Sequence, residues 1–195
     1  MKMQMIGCSH REAPISVRER LAFSPEQSRD ALDKLRVRFP TSEAVLLSTC
    51  NRTELYLSTE NGAVPTLEEV ADFLGDFHGF DPAEIIEHLQ HRADTEAVGH
   101  LFRVAASLDS MVVGEPQILS QVKQAYQAAV EQESAGPLSH AVFQVALKVA
   151  RRVAGETAIH QRRVSIPSVA VGDFAQQIFE RFDNKSTLVI GAGEM

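Results

Sequence analysis

Cys50 and Arg52 stand two positions apart in the string Ser48-Thr49-Cys50-Asn51-Arg52-Thr53-Glu54-Leu55-Tyr56. A thiol two positions from a guanidinium suits covalent catalysis. The thiolate is the nucleophilic form of cysteine, and nearby positive charge or aligned N–H dipoles raise its population near neutral pH. Arg52 is the nearest such charge. A cysteine in a strand-end turn also serves as a small, unreactive structural residue, and a lone Cys-x-Arg leaves both readings open. The only other cysteine is Cys8, so there is neither a disulfide framework nor metal-ligand spacing. His10, His78, His88, His91, His140 and His160 form no ligand pattern, and no metal site is predicted.

The elements around Cys50 read as strands alternating with helices. Met3 to Cys8 is a short apolar strand ending in a polar turn. Ser24-Pro25-Glu26-Gln27 is an N-cap and first turn, followed by the helical stripe Leu32, Leu35 and Phe39, which Pro40 ends. Ala44 to Thr49 and Thr53 to Ser58 are β-type runs, so Cys50-Asn51-Arg52 falls where the chain reverses. Thr66-x-x-Glu69 is a capping box for a helix expected to end near Gly75, and Ile86 to Arg92 is a candidate last strand. The order strand, helix, strand, strand, helix, strand predicts an α+β fold with a ferredoxin-like split βαβ sheet.

From Asp94 onward the pattern is helical. Ala97, Leu101, Val104 and Leu108 share one face, while Glu96, His100, Arg103 and Ser107 project from another, which places His100 off the core stripe. A helix opened by Gly114-Glu115-Pro116 carries Val122, Ala125, Tyr126, Ala129 and Val130. The next carries Val142, Val145, Ala146, Val149 and Val153. A helical bundle packed on the sheet is expected.

The chain closes with Thr187-Leu188-Val189-Ile190-Gly191-Ala192-Gly193-Glu194-Met195, an apolar strand running into a glycine turn. In a dinucleotide fold Gly191 makes the tight turn and Gly193 admits the pyrophosphate, with the phosphates on the next helix. A strand with unpaired edges is a poor place for a domain to stop. The expectation is a truncated chain, with residues 183 to 195 disordered or strapped to a neighbour. Residues 1–160 are expected to be a catalytic unit, with the sheet in residues 1–93 and the helical bundle in residues 94–160. Residues 161–195 are expected to be a connecting helix and the start of an incomplete Rossmann domain.

Composition narrows the class. At 195 residues and 44% hydrophobic content the chain suits one or two globular units. No apolar run reaches membrane-spanning length and the amino terminus lacks a signal-peptide core, so a cytoplasmic protein is expected. The net charge of −7 argues against a nucleic-acid coat, since phosphate affinity comes from Lys and Arg. Lys148, Arg151, Arg152, Arg162 and Arg163 form a local basic group. They read either as an RNA contact or as a solvated helix face balanced by Glu156.

The nine-residue string around Cys50 resembles the signature of the glutamyl-tRNA reductases. Gly7-Cys8-Ser9-His10-Arg11-Glu12-Ala13-Pro14 with Val17-Arg18-Glu19-Arg20 resembles the family's amino-terminal motif, departing from it at Ser9, Arg11 and Glu12. The segment from Leu108 to Leu119 with Gln121-Val122-Lys123 is a further match, and Gly-Ala-Gly-Glu at the end is another.

The resemblance implies an oxidoreductase that opens tetrapyrrole (porphyrin) biosynthesis. The Cys50 thiolate takes the glutamyl group from glutamyl-tRNA as a thioester, and NADPH reduces it to glutamate-1-semialdehyde. It also implies substrate binding by Thr49, Asn51, Arg52, Ser110, Glu115, Pro116, Gln117 and Gln121. Arg52 would meet the substrate side-chain carboxylate and Glu115 its α-ammonium group. His100 would pass a proton to the leaving ribose oxygen. Gly191, Ala192, Gly193, Glu194 and Met195 would begin the NADPH site. A homodimer formed through a further C-terminal region and hand-off of the semialdehyde to an aminomutase are implied as well. On this reading the chain alone performs only the acyl-transfer half. Two alternatives stand beside it: a non-catalytic helical interaction module, and a freestanding thiol esterase.

Overall fold

The computed structural model describes residues 2–159, together with 175–179, 181–183, 185, 186 and 188. Gly191–Met195, where a glycine turn is expected, His160, Arg162 and Arg163, and nine of the thirteen residues 183–195 lie outside the described residues.

Strand β1 (Lys2–Ser9) is buried beyond its first residue and leads into helices α1 (Ile15–Leu21) and α2 (Pro25–Arg38). The Ser24 side chain accepts from the Gln27 N–H and the Gln27 side chain accepts from the Ser24 N–H, a full capping box with Pro25 in the first turn. The helix stops at Phe39, ahead of Pro40. Strands β2 (Glu43–Thr49) and β3 (Arg52–Thr59) form a hairpin whose turn is Cys50-Asn51.

Helix α3 (Leu67–His78) starts at the Thr66–Glu69 capping box but runs past Gly75 to a left-handed cap at Gly79, φ 77°. Gly75 has another role: a Cβ there would lie 2.8 Å from the Phe80 carbonyl oxygen, so its lack of a side chain permits close packing of the returning chain. Strand β4 (Gln90–Ala93) is shorter than expected, because Ile86–His88 winds into a 3₁₀ turn.

The sheet order is β2-β3-β1-β4, with every pair antiparallel. Helices α1 to α3 lie toward one face, where the Thr53 hydroxyl donates to the Leu21 carbonyl and the Gln4 amide to the Pro65 carbonyl. Helices α4 (Asp94–Ala105), α5 (Gln117–Glu131) and α6 (Pro137–Glu156) cover the other. Every residue of β3 is therefore buried. On the α4–α6 side Tyr56 packs edge-on to Phe143 with centroids 5.5 Å apart.

The helical stripes are partly displaced from their expected faces. Ala97, Leu101 and Val104 are buried, but α4 ends at Ala105 and Leu108 beyond it is 47% exposed. Val122 and Ala129 hold the α5 core while Val130 turns outward. On α6 the buried face is Phe143, Ala146, Leu147 and Ala150, and Val145 is exposed. Phe143 sets this rotation by packing against both Tyr56 and Tyr126. The start of α6 is capped from the sheet: the Glu43 carboxylate accepts the Leu138 and Ser139 N–H groups at 3.1 and 2.6 Å. Lys148, Arg151 and Arg152 are exposed, with Arg152 paired to Glu156 four residues on, which is the solvated-face arrangement. Among the described residues no helix is long and apolar enough to cross a membrane.

Candidate active site

The Cys50 corner is tied down on three sides. Thr49 Oγ1 accepts the N–H groups of both Asn51 and Arg52, each at 3.2 Å, closing a local side-chain turn. The His10 N–H donates to the Asn51 carbonyl at 2.8 Å. Arg18, on α1, donates to the Cys50 carbonyl at 2.5 Å. The backbone is held while the Cys50 side chain is exposed, whereas Cys8 is buried. Burial, unrelieved by its hydrogen bond to the Thr53 backbone, pushes the Cys8 thiol up to about 11.

A narrow cleft, with an internal volume of only about 20 Å³, is lined by Thr49, Cys50, Asn51, Arg52, Ser110, Glu115, Gln117 and Gln121, with Ile118 as its apolar wall. The structure thus gathers all but two of the expected catalytic and substrate residues. Pro116 is one exception: it is the exposed residue at the start of α5 and does not line the cleft. Part of the reason for the gathering is local. Ser107 has a positive φ of 60° and Gly114 a φ of 91°, and the Ser107 hydroxyl donates to the Glu115 carbonyl at 2.6 Å. The loop of residues 106–116 is thereby folded back so that Ser110 and Glu115 face the β2–β3 turn.

His100 is the other exception, and its expected place off the core is corrected. It is 3% exposed and lies in the core between α4 and β3. Its Nε2 donates to the Glu54 carboxylate at 2.8 Å and its Nδ1 is 3.7 Å from Asp109 Oδ2. The period of the helix does turn residue 100 away from the Ala97–Leu101 stripe, but that second face is covered by the sheet. His100 lines a neighbouring cleft with Arg11, Arg103 and Asp109. That cleft shares no residue with the Cys50 cleft.

Arg52 joins the two. It lines the Cys50 cleft, yet its guanidinium donates to Glu54 at 2.6 Å and to the Asp109 carbonyl, with the Asp109 carboxylate at 3.6 Å. Arg52 and Glu54 are both almost fully buried. Burial opposes charge on Arg52, but the adjoining Glu54 carboxylate outweighs it and holds the guanidinium above its ordinary pKa. For Glu54 burial favours the neutral acid. The hydrogen bond from His100, the charge of Arg52 and the hydroxyl of Tyr56 at 2.6 Å prevail and hold it at about 2. Tyr56 is pushed well up by burial and by the same carboxylate.

Glu54, Asp109 and Arg18 were not singled out from sequence. Glu54 and Asp109 stand inside the family-like motifs, and the alternation Arg52, Glu54, Tyr56 on one strand face is the signal that could have found the first. Among the described residues no group of His, Cys, Asp or Glu side chains forms a metal cluster.

Comparison with known proteins places the chain in a family. Residues 6–157 match the family model described as glutamyl-tRNAGlu reductase, N-terminal domain. The glutamyl-tRNA reductase of Rhodopirellula baltica is 46% identical over 195 residues, covering 100% of this chain and 46% of the relative. That of Rubrobacter xylanophilus is 45% identical, with 100% and 45% covered. Among solved structures, glutamyl-tRNA reductase from Methanopyrus kandleri superimposes with a TM-score of 0.69 at 35% identity over 98% of this chain and 44% of that one. A helix-covered, four-stranded antiparallel sheet is therefore the architecture of an amino-terminal reductase domain. The chain belongs to the glutamyl-tRNA reductase family. It spans about half the length of the curated relatives it matches.

Proposed function

We propose that this chain performs the acyl-accepting half of NADPH-dependent glutamyl-tRNA reduction, with Cys50 as the nucleophile. The observation that carries the reading is the exposed Cys50 thiol opening into one cleft with Thr49, Asn51, Arg52, Ser110, Glu115, Gln117 and Gln121. The Cys50 sulfur forms a bond to the glutamyl carbonyl carbon, the ester C–O bond breaks, and the thiol proton ends on the released ribose oxygen. Glu115 suits the substrate α-ammonium group. Arg52 would meet the side-chain carboxylate by exchanging the Asp109 carboxylate for it, so one anion replaces another at a buried cation. His100 enters the proposal as the group that, through Glu54, holds Arg52 in place. Its position in the second cleft does not support direct proton delivery at Cys50.

NADPH, when bound, supplies the hydride that converts an acyl thioester to an aldehyde. The residues the sequence offers for it, Gly191, Ala192, Gly193, Glu194 and Met195, lie outside the described residues, and the reading of 161–195 as the start of a Rossmann domain rests on that motif. The strand order β2-β3-β1-β4 supports a ferredoxin-like reading of residues 1–93. Homodimerisation, hand-off of the semialdehyde to an aminomutase and a cytoplasmic setting are proposed alongside, on the resemblance to the family alone.

The test is incubation of the chain with glutamyl-tRNA labelled in the glutamate. Covalent label on Cys50, absent from Cys50→Ser, is the expected result. Label retained by that variant would show that the nucleophile is misassigned.

A further inference from the structure

A second groove lies between α2, β2 and α5, and it enters the Cys50 cleft. Gln121 lines both, and Ser48 of the groove is followed in the chain by Thr49 of the cleft. The groove has a volume of about 400 Å³ and is open to solvent. Its α5 wall is a row of amides. Gln121, Gln124 and Gln127 follow at i, i+3 and i+6 along the helix, continuing from Gln117 of the Cys50 cleft. Across from them α2 contributes Ser28 and Arg29. Gln124, Gln127 and Arg29 are exposed and make no hydrogen bond or ion pair among the described residues.

We infer that this groove receives the 3′-terminal adenosine of the RNA donor, the amide row taking the base edge and ribose hydroxyls and Arg29 the phosphodiester. The inference rests on the proposed role of Cys50 as acceptor of an aminoacyl ester. The alcohol of such an ester is a ribose oxygen, so a nucleoside must occupy the space beside the glutamyl group. Primary amides pair with adenine through one donor and one acceptor, and a guanidinium is the natural partner of a phosphate. Access to Cys50 separates this groove from the cleft that holds His100. That cleft is shut off from Cys50 by the Arg52–Asp109 contact, and the carboxylates of Glu12, Glu54 and Asp109 line it beside Arg11, Arg92 and Arg103. In the α2–α5 groove the charged lining is Arg29 together with Glu131, the latter ten residues from Gln121 and so about 15 Å along the helix.

The decisive experiment compares two acyl donors on the same 195-residue chain. One is glutamyl-tRNA and the other a glutamyl thioester of a small thiol, which has no nucleotide. For the double variant Arg29→Ala/Gln124→Ala, transfer of label to Cys50 from glutamyl-tRNA is expected to slow at least tenfold. Transfer from the small thioester is expected to stay within twofold of the parent chain. Unchanged transfer from tRNA, or an equal fall with both donors, would overturn the groove assignment while leaving Cys50 as acceptor. Absence of label from either donor in the parent chain would instead overturn the reading of Cys50. Titration with the trinucleotide CCA, followed by NMR of the glutamine side-chain amides, gives a readout independent of the chemistry. Shifts at Gln124 and Gln127 that are lost in Arg29→Ala are expected, and no shift at either amide would also overturn the assignment.

Discussion

Replacing Glu54 by Gln keeps the shape of the side chain and removes the charge that organises Arg52, His100 and Tyr56. The carboxylate lies at about 2 in the folded protein against an ordinary 4.5. At about 1.4 kcal/mol per pH unit this is a stabilisation of about 3 kcal/mol near neutral pH. The same size follows from a separate argument, since removing one partner of a buried ion pair costs about 3–5 kcal/mol through the charge left behind. Because the folded pKa lies below the unfolded one, the unfolded chain binds the proton more readily. The contribution is complete above about pH 5 and is lost as pH falls through the folded value near 2. Urea unfolding followed by circular dichroism across pH 2–8 measures it. The parent chain should lose stability steeply below pH 5, and Glu54→Gln should be about 3 kcal/mol weaker at pH 7 with a shallower acid limb. Acid limbs of equal slope, or a difference below about 0.5 kcal/mol at pH 7, would refute the reasoning.

The two thiols should separate under alkylation. With Cys8 buried and raised to about 11, its thiolate fraction at pH 8 is roughly one in a thousand, so mass spectrometry after brief iodoacetamide treatment should find modification at Cys50 only; comparable labelling of both would contradict the burial of Cys8. Gly7→Ala should weaken the β1–β3 pairing, because a Cβ at Gly7 would sit 2.2 Å from the Thr53 carbonyl oxygen. A loss of about 1–3 kcal/mol is expected in chemical denaturation, and a neutral effect would mean that the strands are not in this register. The Glu43 carboxylate is held below its ordinary range by the Ser139 hydroxyl and the α6 N–H groups, against the effect of burial. Glu43→Ala should therefore cost about 1–2 kcal/mol, seen as faster amide exchange at the start of α6; unchanged exchange there would rule out the cap.

The local signals in the sequence were strong where a motif acts through its own neighbours. Ser24–Gln27 and Thr66–Glu69 are capping boxes in fact, and the Cys50 turn falls between the two strands that flank it in sequence. Gly75 misled because helix termination and close packing both select glycine, and only the returning chain at Phe80 tells them apart. His100 misled for a similar reason. A polar residue off the apolar stripe normally faces water, but here it faces Glu54, a partner 46 positions away in sequence. The alternation of polar Arg52, Glu54, Tyr56 and Ser58 with Leu55 and Leu57 would ordinarily mark a half-exposed strand. Because helices cover both faces of this sheet, the polar side became an ionic core. Ser110, Glu115, Gln117 and Gln121 reach Cys50 through the folded loop before α5, an arrangement that depends on two positive-φ residues and carries no periodic signal.

Arg52 and Cys50 are separated by a single residue, yet they belong to mechanically different regions of the molecule. Arg52 begins the most enclosed strand of the sheet and is locked by Glu54 and Asp109. Cys50 rides on a turn whose backbone is clamped but whose side chain stands in the open. Under the proposed function, a nucleophile that first meets an ester and then carries its acyl cargo elsewhere would swing by rotation about its own bonds, while the group that orients the cargo stays fixed. A boundary between fixed and movable groups at Asn51 would let such a thioester pivot toward a second reactant without disturbing the ionic core around Arg52.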